Sequence, residues 1–143
     1  MVYLDTSVAV ALLVPEPGSA LALSWFARAE HLPLLSDWLI AEFASALSIK
    51  ERSGQLSAPD ARAARRNFDA FCKGVRVAPV SRGAFQRAAL LAAQPGLGLR
   101  AGDALHLAIA QEVAARAIAT LDRRMGQAAE QLGLSLEFPP PGP

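Results

Sequence analysis

Short leucine-rich or β-branched runs alternate with alanine-rich segments along this chain, and the alternation limits the possible folds more than any other feature. Strands separated by helices predict βαβ units, in which helical crossovers join parallel strands. We therefore predict an α/β fold with an open, mostly parallel, five-stranded sheet flanked by helices on both faces. The predicted strands are residues 2–4, 34–35, 75–80, 117–121 and 134–138.

Helices are predicted between these strands from caps and breakers. Pro15 ends the first helix, Asp37 is placed to cap the third, and Ser57 begins a capping box for the fourth, which forms a hairpin with the third. The predicted helices are residues 7–14, 19–29, 38–52, 59–72, 81–93, 102–116 and 123–132.

The composition fits one compact domain. Of 143 residues, 52% are hydrophobic and 19% charged, which is enough apolar surface to bury a core. We predict a single domain over residues 1–138 and a Pro-rich tail at 139–143, to which we assign no role. The net charge of +1 argues against general adhesion to nucleic acid, so any contact with a polyanion needs a local patch.

Cysteine usage and hydropathy favour the cytoplasm. Cys72 is the single cysteine, so the sequence has neither an intrachain disulfide nor a multi-cysteine zinc site. No uncharged apolar stretch reaches the ~18 residues that span a bilayer. Asp5 interrupts the N-terminus where a signal peptide needs its apolar core. We expect a cytoplasmic protein that does not contact a membrane.

Four acidic residues stand where this fold can bring them together. Asp5 and Asp122 directly follow two strands, at the edge of a parallel sheet where ligands bind, although a helix cap explains each one singly. Glu42 lies on the apolar arc of its helix, where a buried arginine partner would also explain it. Asp103 begins a helix that is apolar nearly all round, and the helix dipole favours an acid there.

Taken together, the four acids predict a metal site. Three or four carboxylates within a few ångströms raise one another's pKa values unless a divalent cation neutralises them. An all-oxygen site with the Ser7 or Thr120 hydroxyl nearby suits Mg²⁺ or Mn²⁺ and not zinc. Such a metal polarises a phosphoryl oxygen and supplies hydroxide near neutral pH, so the sequence predicts phosphate chemistry.

Four segments of the chain carry a resemblance to a known family. They are Tyr3-Leu4-Asp5-Thr6-Ser7, Ala41-Glu42-Phe43, the run Leu99-Arg100-Ala101-Gly102-Asp103-Ala104-Leu105-His106-Leu107-Ala108, and Thr120-Leu121-Asp122. In this order and in a chain this short, they resemble the PIN-domain ribonucleases, and among these the VapC-type toxins of toxin-antitoxin pairs. The resemblance covers nearly the whole chain in length and in the order of its elements.

The resemblance implies a divalent-metal-dependent endoribonuclease that hydrolyses single-stranded or loop RNA. It implies Asp5 and Asp103 as the principal metal ligands, with Glu42 and Asp122 completing the acidic pocket. It further implies a homodimer that a small VapB-like antitoxin holds inactive and joins in repressing their operon. The residues that it assigns to orienting ligands or waters are Thr6, Ser7 and Thr120.

Basic residues flank the predicted pocket. Arg100 precedes Asp103, and Arg123 and Arg124 follow Asp122, so their guanidinium groups are placed to hold RNA phosphates. Positions on a solvated surface explain these arginines equally well.

The histidine and tryptophans near the motifs have two interpretations each. We predict that His106 packs in the core and does not shuttle protons, because the metal mechanism needs no imidazole. Trp25, Phe26 and Trp38 are predicted core residues, and the alternative is a groove for an apolar antitoxin segment.

Other functions fit the sequence less well. Phosphatases of the haloacid dehalogenase type need a second acid where this chain has Ser7, and receiver domains need a lysine after a late strand, whereas Lys50 and Lys73 are the only lysines. A catalytically silent PIN fold that binds RNA or a partner protein is the main alternative. The four acids count against it, because a binding module has no need of a self-repelling cluster.

Overall fold

The computed structural model describes residues 1–138 and contains a five-stranded sheet between two layers of helices. The tail predicted at residues 139–143 lies outside the described residues. All strands pair in parallel, which confirms the predicted α/β class. In the sheet order β3-β2-β1-β4-β5, the strands are β1 (Val2–Leu4), β2 (Leu34–Ser36), β3 (Arg76–Ala78), β4 (Ala117–Ala119) and β5 (Ser135–Leu136).

Each predicted helix is present, and several have different ends. The sixth was expected to reach residue 116 but stops at Glu112, because the chain turns at Ala114, whose φ of 54° is left-handed. The helices are α1 (Thr6–Leu13), α2 (Ser19–Arg28), α3 (Asp37–Arg52), α4 (Ala58–Gly74), α5 (Arg82–Ala92), α6 (Ala101–Glu112) and α7 (Arg123–Gln131).

The predicted cap of α3 is wrong by one residue. Ser36, and not Asp37, has the extended backbone of a cap, and its Oγ accepts a hydrogen bond from the Leu39 amide at 3.3 Å. Asp37 begins the helix, where its charge still suits the helix dipole. The predicted cap of α4 is confirmed, since the Ser57 Oγ accepts from the Asp60 amide at 3.2 Å.

Both faces of the sheet are covered by apolar side chains. Neighbouring residues in a strand point to opposite faces, so Tyr3 and Leu34 pack with α5, α6 and α7, whereas Leu4 and Leu35 pack with α1 to α4. Strands of two or three residues have little stability of their own, so the two helical layers hold the sheet together. No helix within residues 1–138 is long and apolar enough to cross a bilayer.

The order of the strands reverses at β1, which defines where a ligand can bind. The chain lays β2 and β3 on one side of β1 and then returns to place β4 and β5 on the other. In open parallel sheets, the crevice at such a reversal lies beyond the carboxyl ends of the strands. Here it lies between the ends of β1 and β4, which the Asp5 amide joins by donating to the Ala119 carbonyl at 3.0 Å.

Helices α3 and α4 are joined by stacked rings, and this contact gives a first prediction. Phe43 and Phe68 lie with ring centroids 3.9 Å apart and planes inclined by 14°. Because both rings are buried, we expect Phe68→Ala to lower the free energy of unfolding by roughly 3–5 kcal/mol in denaturant titrations. Phe85→Ala is the control, since Phe85 is 55% exposed. Equal losses in both variants would contradict the proposed role of the stack.

Candidate active site

Asp5 lies at the centre of the crevice between β1 and β4. Its side chain caps α1, and Oδ2 accepts hydrogen bonds from Ser7 Oγ at 2.6 Å and from Thr120 Oγ1 at 2.9 Å. The residue is only 5% exposed. The helix-cap explanation of Asp5 is therefore correct, and the same contacts hold its carboxylate at the carboxyl edge of the sheet.

The hydroxyls of Ser7 and Thr120 also organise the chain beyond β4. Ser7 Oγ accepts from the Leu121 amide at 3.0 Å, and Thr120 Oγ1 accepts from the Asp122 amide at 3.0 Å. Asp122 then caps α7, with Oδ1 accepting from the Met125 amide at 2.9 Å. These bonds explain why β4 ends before residue 121, because the next amides bond to side chains and not to the sheet.

Glu42 is held between α3 and α6 by a hydroxyl and an imidazole. Its Oε1 accepts a hydrogen bond from Thr6 Oγ1 at 2.7 Å and forms a close contact with His106 Nε2. The explanation of Glu42 by a buried arginine is wrong, because its partner is a histidine. The side chain remains 29% exposed, so Glu42 faces the same crevice as Asp5 while it is anchored at one oxygen.

The sequence analysis did not predict a series of buried hydrogen bonds that runs from Glu42 into the core. His106 is 1% exposed, as expected of a core residue, but its Nδ1 lies 2.7 Å from the Tyr3 hydroxyl. That hydroxyl lies 2.8 Å from Oγ of Ser36, the residue that caps α3. The sequence offers only two signals of this series of hydrogen bonds. Tyr3 stands two residues before Asp5, and His106 stands three residues after Asp103.

The contact between His106 and Glu42 favours their charged forms. Burial lowers the pKa of His106, but the hydrogen bond to Glu42 and the negative charge of Asp5 raise it by more, so it lies above its ordinary value. Burial raises the pKa of Glu42, but the hydrogen bond and charge of His106 outweigh this and lower it. The two shifts agree in direction, and both favour the charged form of their group.

Asp103 connects the four acids electrostatically. It lies in the first turn of α6 and is half-buried. Burial raises its pKa to about 6, and the charges of Asp122, Asp5 and Glu42 add to this rise. The charges of the other three predicted acids therefore act on Asp103.

The donor set is chemically suited to a hard divalent cation. As the side chains stand, no group of three His, Cys, Asp or Glu residues within positions 1–138 is arranged to hold one ion. Protein donors already occupy an oxygen of Asp5, Glu42 and Asp122. The remaining donors are carboxylate oxygens that repel one another, and a cation such as Mg²⁺ or Mn²⁺ would relieve that repulsion.

The three arginines near the crevice are exposed. Arg124 donates to the Gly98 carbonyl at 3.1 Å. None of Arg100, Arg123 and Arg124 forms an ion pair within the described part of the chain. Their binding of RNA phosphates stays a prediction.

The tryptophans occupy different surroundings. Trp25 is a core residue as predicted: it is 8% exposed, donates to Glu137 Oε2 at 3.0 Å and packs edge-on against Phe138. Phe26 packs against the same core. Trp38 is only partly buried and lines an apolar cavity between α3, α5 and α6.

A family model described as the PIN domain matches residues 2–131. The chain belongs to the PIN domain family. No curated protein matched the sequence.

This PIN domain has the fold of several solved structures. VapC20 of Mycobacterium tuberculosis, described as a sarcin-ricin loop cleaving toxin, is 18% identical with a TM-score of 0.75, over 98% of this chain and 100% of that one. FitAcB of Neisseria gonorrhoeae is 20% identical with a TM-score of 0.70, over 95% and 96%. VapBC2 of Rickettsia felis, bound to a DNA fragment from its promoter, is 18% identical with a TM-score of 0.64, over 95% and 97%. At these identities the likeness concerns the fold.

The raised pKa of Asp103 predicts a pH-dependent change in stability. A carboxyl whose pKa rises from 3.8 to about 6 on folding stabilises the protein below pH 3.8, and this contribution is lost as pH rises through 6. We expect Asp103→Asn, with metal chelated, to melt roughly 2–5 °C above the parent at pH 7.5. The difference should vanish near pH 4.

A matched variant checks that this effect comes from the acidic crevice. Asp69 is exposed on α4, and we expect Asp69→Asn to melt like the parent at both pH values. If Asp103→Asn were no more stable than the parent at pH 7.5, the repulsion between Asp103 and its neighbours would be absent.

Proposed function

We propose that this PIN domain is a divalent-metal-dependent endoribonuclease that hydrolyses RNA phosphodiester bonds with Mg²⁺ or Mn²⁺ as cofactor. The observation that carries the proposal is that Asp5 and Glu42 both approach His106 Nε2 at the carboxyl edge of the sheet, with the half-buried Asp103 one helical turn before that histidine. A cluster of like charges kept for structure alone would only destabilise the fold, so the cluster favours a functional role. The same four acids stand in the segments that resemble PIN-domain ribonucleases.

In this proposal, Asp5 and Asp103 are the principal metal ligands, and Glu42 and Asp122 complete the site. These four acids would hold the metal, which when bound would supply polarisation of a phosphoryl oxygen and hydroxide near neutral pH. Ser7 and Thr120 orient Asp5 by holding its Oδ2. Fixed ligands raise metal affinity, because less conformational freedom is lost when the ion binds.

Thr6 and His106 hold Glu42 in a corresponding way. Both contact Oε1, and His106 Nε2 also lies 3.7 Å from Asp5 Oδ1. The imidazole thus lies between two of the acids and offsets part of their repulsion. The substrate contacts are assigned to the exposed side chains of Arg100, Arg123 and Arg124, which supply the local positive charge that a chain of net charge +1 needs to hold RNA.

A cleavage assay tests the activity. We expect the purified chain to cleave RNA with Mg²⁺ or Mn²⁺ and to stop when a chelator is added. Asp5→Asn and Asp103→Asn should fold and lose more than about 100-fold in rate, since even an outer partner of a metal ligand is worth 10–100-fold. Asp69→Asn is the matched control and should keep the parent rate.

If the Asp5 and Asp103 variants cleaved RNA at the parent rate, the activity would come from a contaminating nuclease. The main alternative would then be a PIN fold that binds RNA or a partner protein without catalysis.

We further propose that the enzyme is the toxin of a toxin-antitoxin pair, acting in the cytoplasm as a homodimer that a small VapB-like antitoxin inhibits. The support is the fold shared with VapC20, which is described as a toxin, and with VapBC2, which is described as bound to promoter DNA. These descriptions belong to those proteins and reach this chain as a proposal.

Growth measurements test the toxin role. We expect induction of the chain to arrest bacterial growth, and co-expression of the small protein encoded beside it to restore growth. Asp103→Asn should be harmless at equal protein level, because it retains the fold and loses a metal ligand. Arrest by Asp103→Asn as strong as by the parent would show that growth inhibition does not depend on cleavage.

A further inference from the structure

An apolar cavity of about 250 Å³ lies between α3, α5 and α6. Trp38 forms one wall, Phe85 and Leu105 form others, and the rest is made of Gly102 and alanines such as Ala89. Among residues 1–138, no charged side chain lines it. The small residues leave room for a flat group beside an aromatic ring, and apolar cavities on the order of 150 Å³ already accommodate benzene.

The cavity adjoins the acidic crevice. Gly102 lies in its wall and directly precedes Asp103 in the chain. A Cβ added at Gly102 would lie 3.4 Å from Glu42 Oε2 and 3.4 Å from Trp38 Cζ2. One glycine therefore separates the carboxylate of Glu42 from the indole that lines the cavity.

The indole N–H of Trp38 is a buried donor that lacks an acceptor within the described residues. Buried donors without an acceptor are rare in folded proteins and cost free energy. For a ligand in the cavity to accept from this N–H, the indole ring has to turn, because Nε1 is buried where it stands.

We propose that this cavity binds one unpaired nucleobase of the RNA, next to the phosphate that the acids act on. Bases of single-stranded RNA stack on aromatic side chains, and their carbonyl oxygens and ring nitrogens accept hydrogen bonds. The uncharged lining suits a base better than a phosphate, and the acidic crevice of the proposed reaction begins one residue after Gly102, at Asp103. This inference rests on the proposed RNA substrate and names the site that distinguishes single strands from duplexes.

Fluorescence of Trp38 gives a direct test without catalysis. The chain has two tryptophans, so Trp25→Phe leaves Trp38 as the only reporter. With metal chelated, we expect decaadenylate to quench its emission. An abasic ribose-phosphate decamer carries the same charges without bases and should leave the emission unchanged.

A cavity-filling variant and its matched control test the location. Ala89 is exposed at the cavity, so Ala89→Leu places a larger side chain in the opening without disturbing the core. In the Trp25→Phe background it should weaken decaadenylate binding about tenfold or more, the loss expected when a stacked base is removed. Ala70→Leu, on the exposed face of α4, should bind like the parent.

The outcomes separate this inference from the proposed activity. Cleavage without quenching, or equal quenching in Ala89→Leu and Ala70→Leu, overturns the base site and leaves the nuclease. Quenching that depends on bases and on Ala89, in a chain that never cleaves RNA, supports the base site and overturns the nuclease.

Two further results would assign the cavity to a protein partner and overturn the inference. One is emission of Trp38 that changes with protein concentration while RNA has no effect, which indicates a second copy of this chain. The other is quenching by an apolar antitoxin peptide while RNA has no effect.

Discussion

The repulsion between carboxylates at the carboxyl edge of the sheet is the constraint on which the site depends. Burial and the charges of Asp122 and Asp5 make ionisation of Asp103 unfavourable. The fold tolerates this because apolar layers cover both faces of the sheet and hold the strand ends in place whatever the charge state of the acids. The burial of apolar side chains on both faces of the sheet thus offsets the repulsion between the carboxylates.

Hydrogen bonds decide how the acids face the crevice. Ser7 and Thr120 bind the same oxygen of Asp5, and Thr6 and His106 bind the same oxygen of Glu42. In each pair of contacts, one carboxylate oxygen is tied to the protein. A series of hydrogen bonds runs from Ser36, the cap of α3, through Tyr3 and His106 to Glu42, so it links the end of a helix to the position of that carboxylate.

Much of the fold and part of the site could be read from the sequence, and the difference has physical causes. Asp5 and Asp122 were found because residues that follow parallel strands must meet at one edge. The partner of Glu42 was missed because it depends on how α3 lies against α6, which no local pattern encodes. The end of α6 was missed for a related reason, since nothing local marks Ala114 as left-handed.

The first turn of α6 links the acids to the apolar cavity. Asp103 lies at the crevice, and its neighbour Gly102 lies between Glu42 and Trp38. A Cβ at that position would lie 3.4 Å from both side chains, at the edge of ordinary van der Waals contact. The proposed base site and the proposed metal site therefore meet at a single glycine.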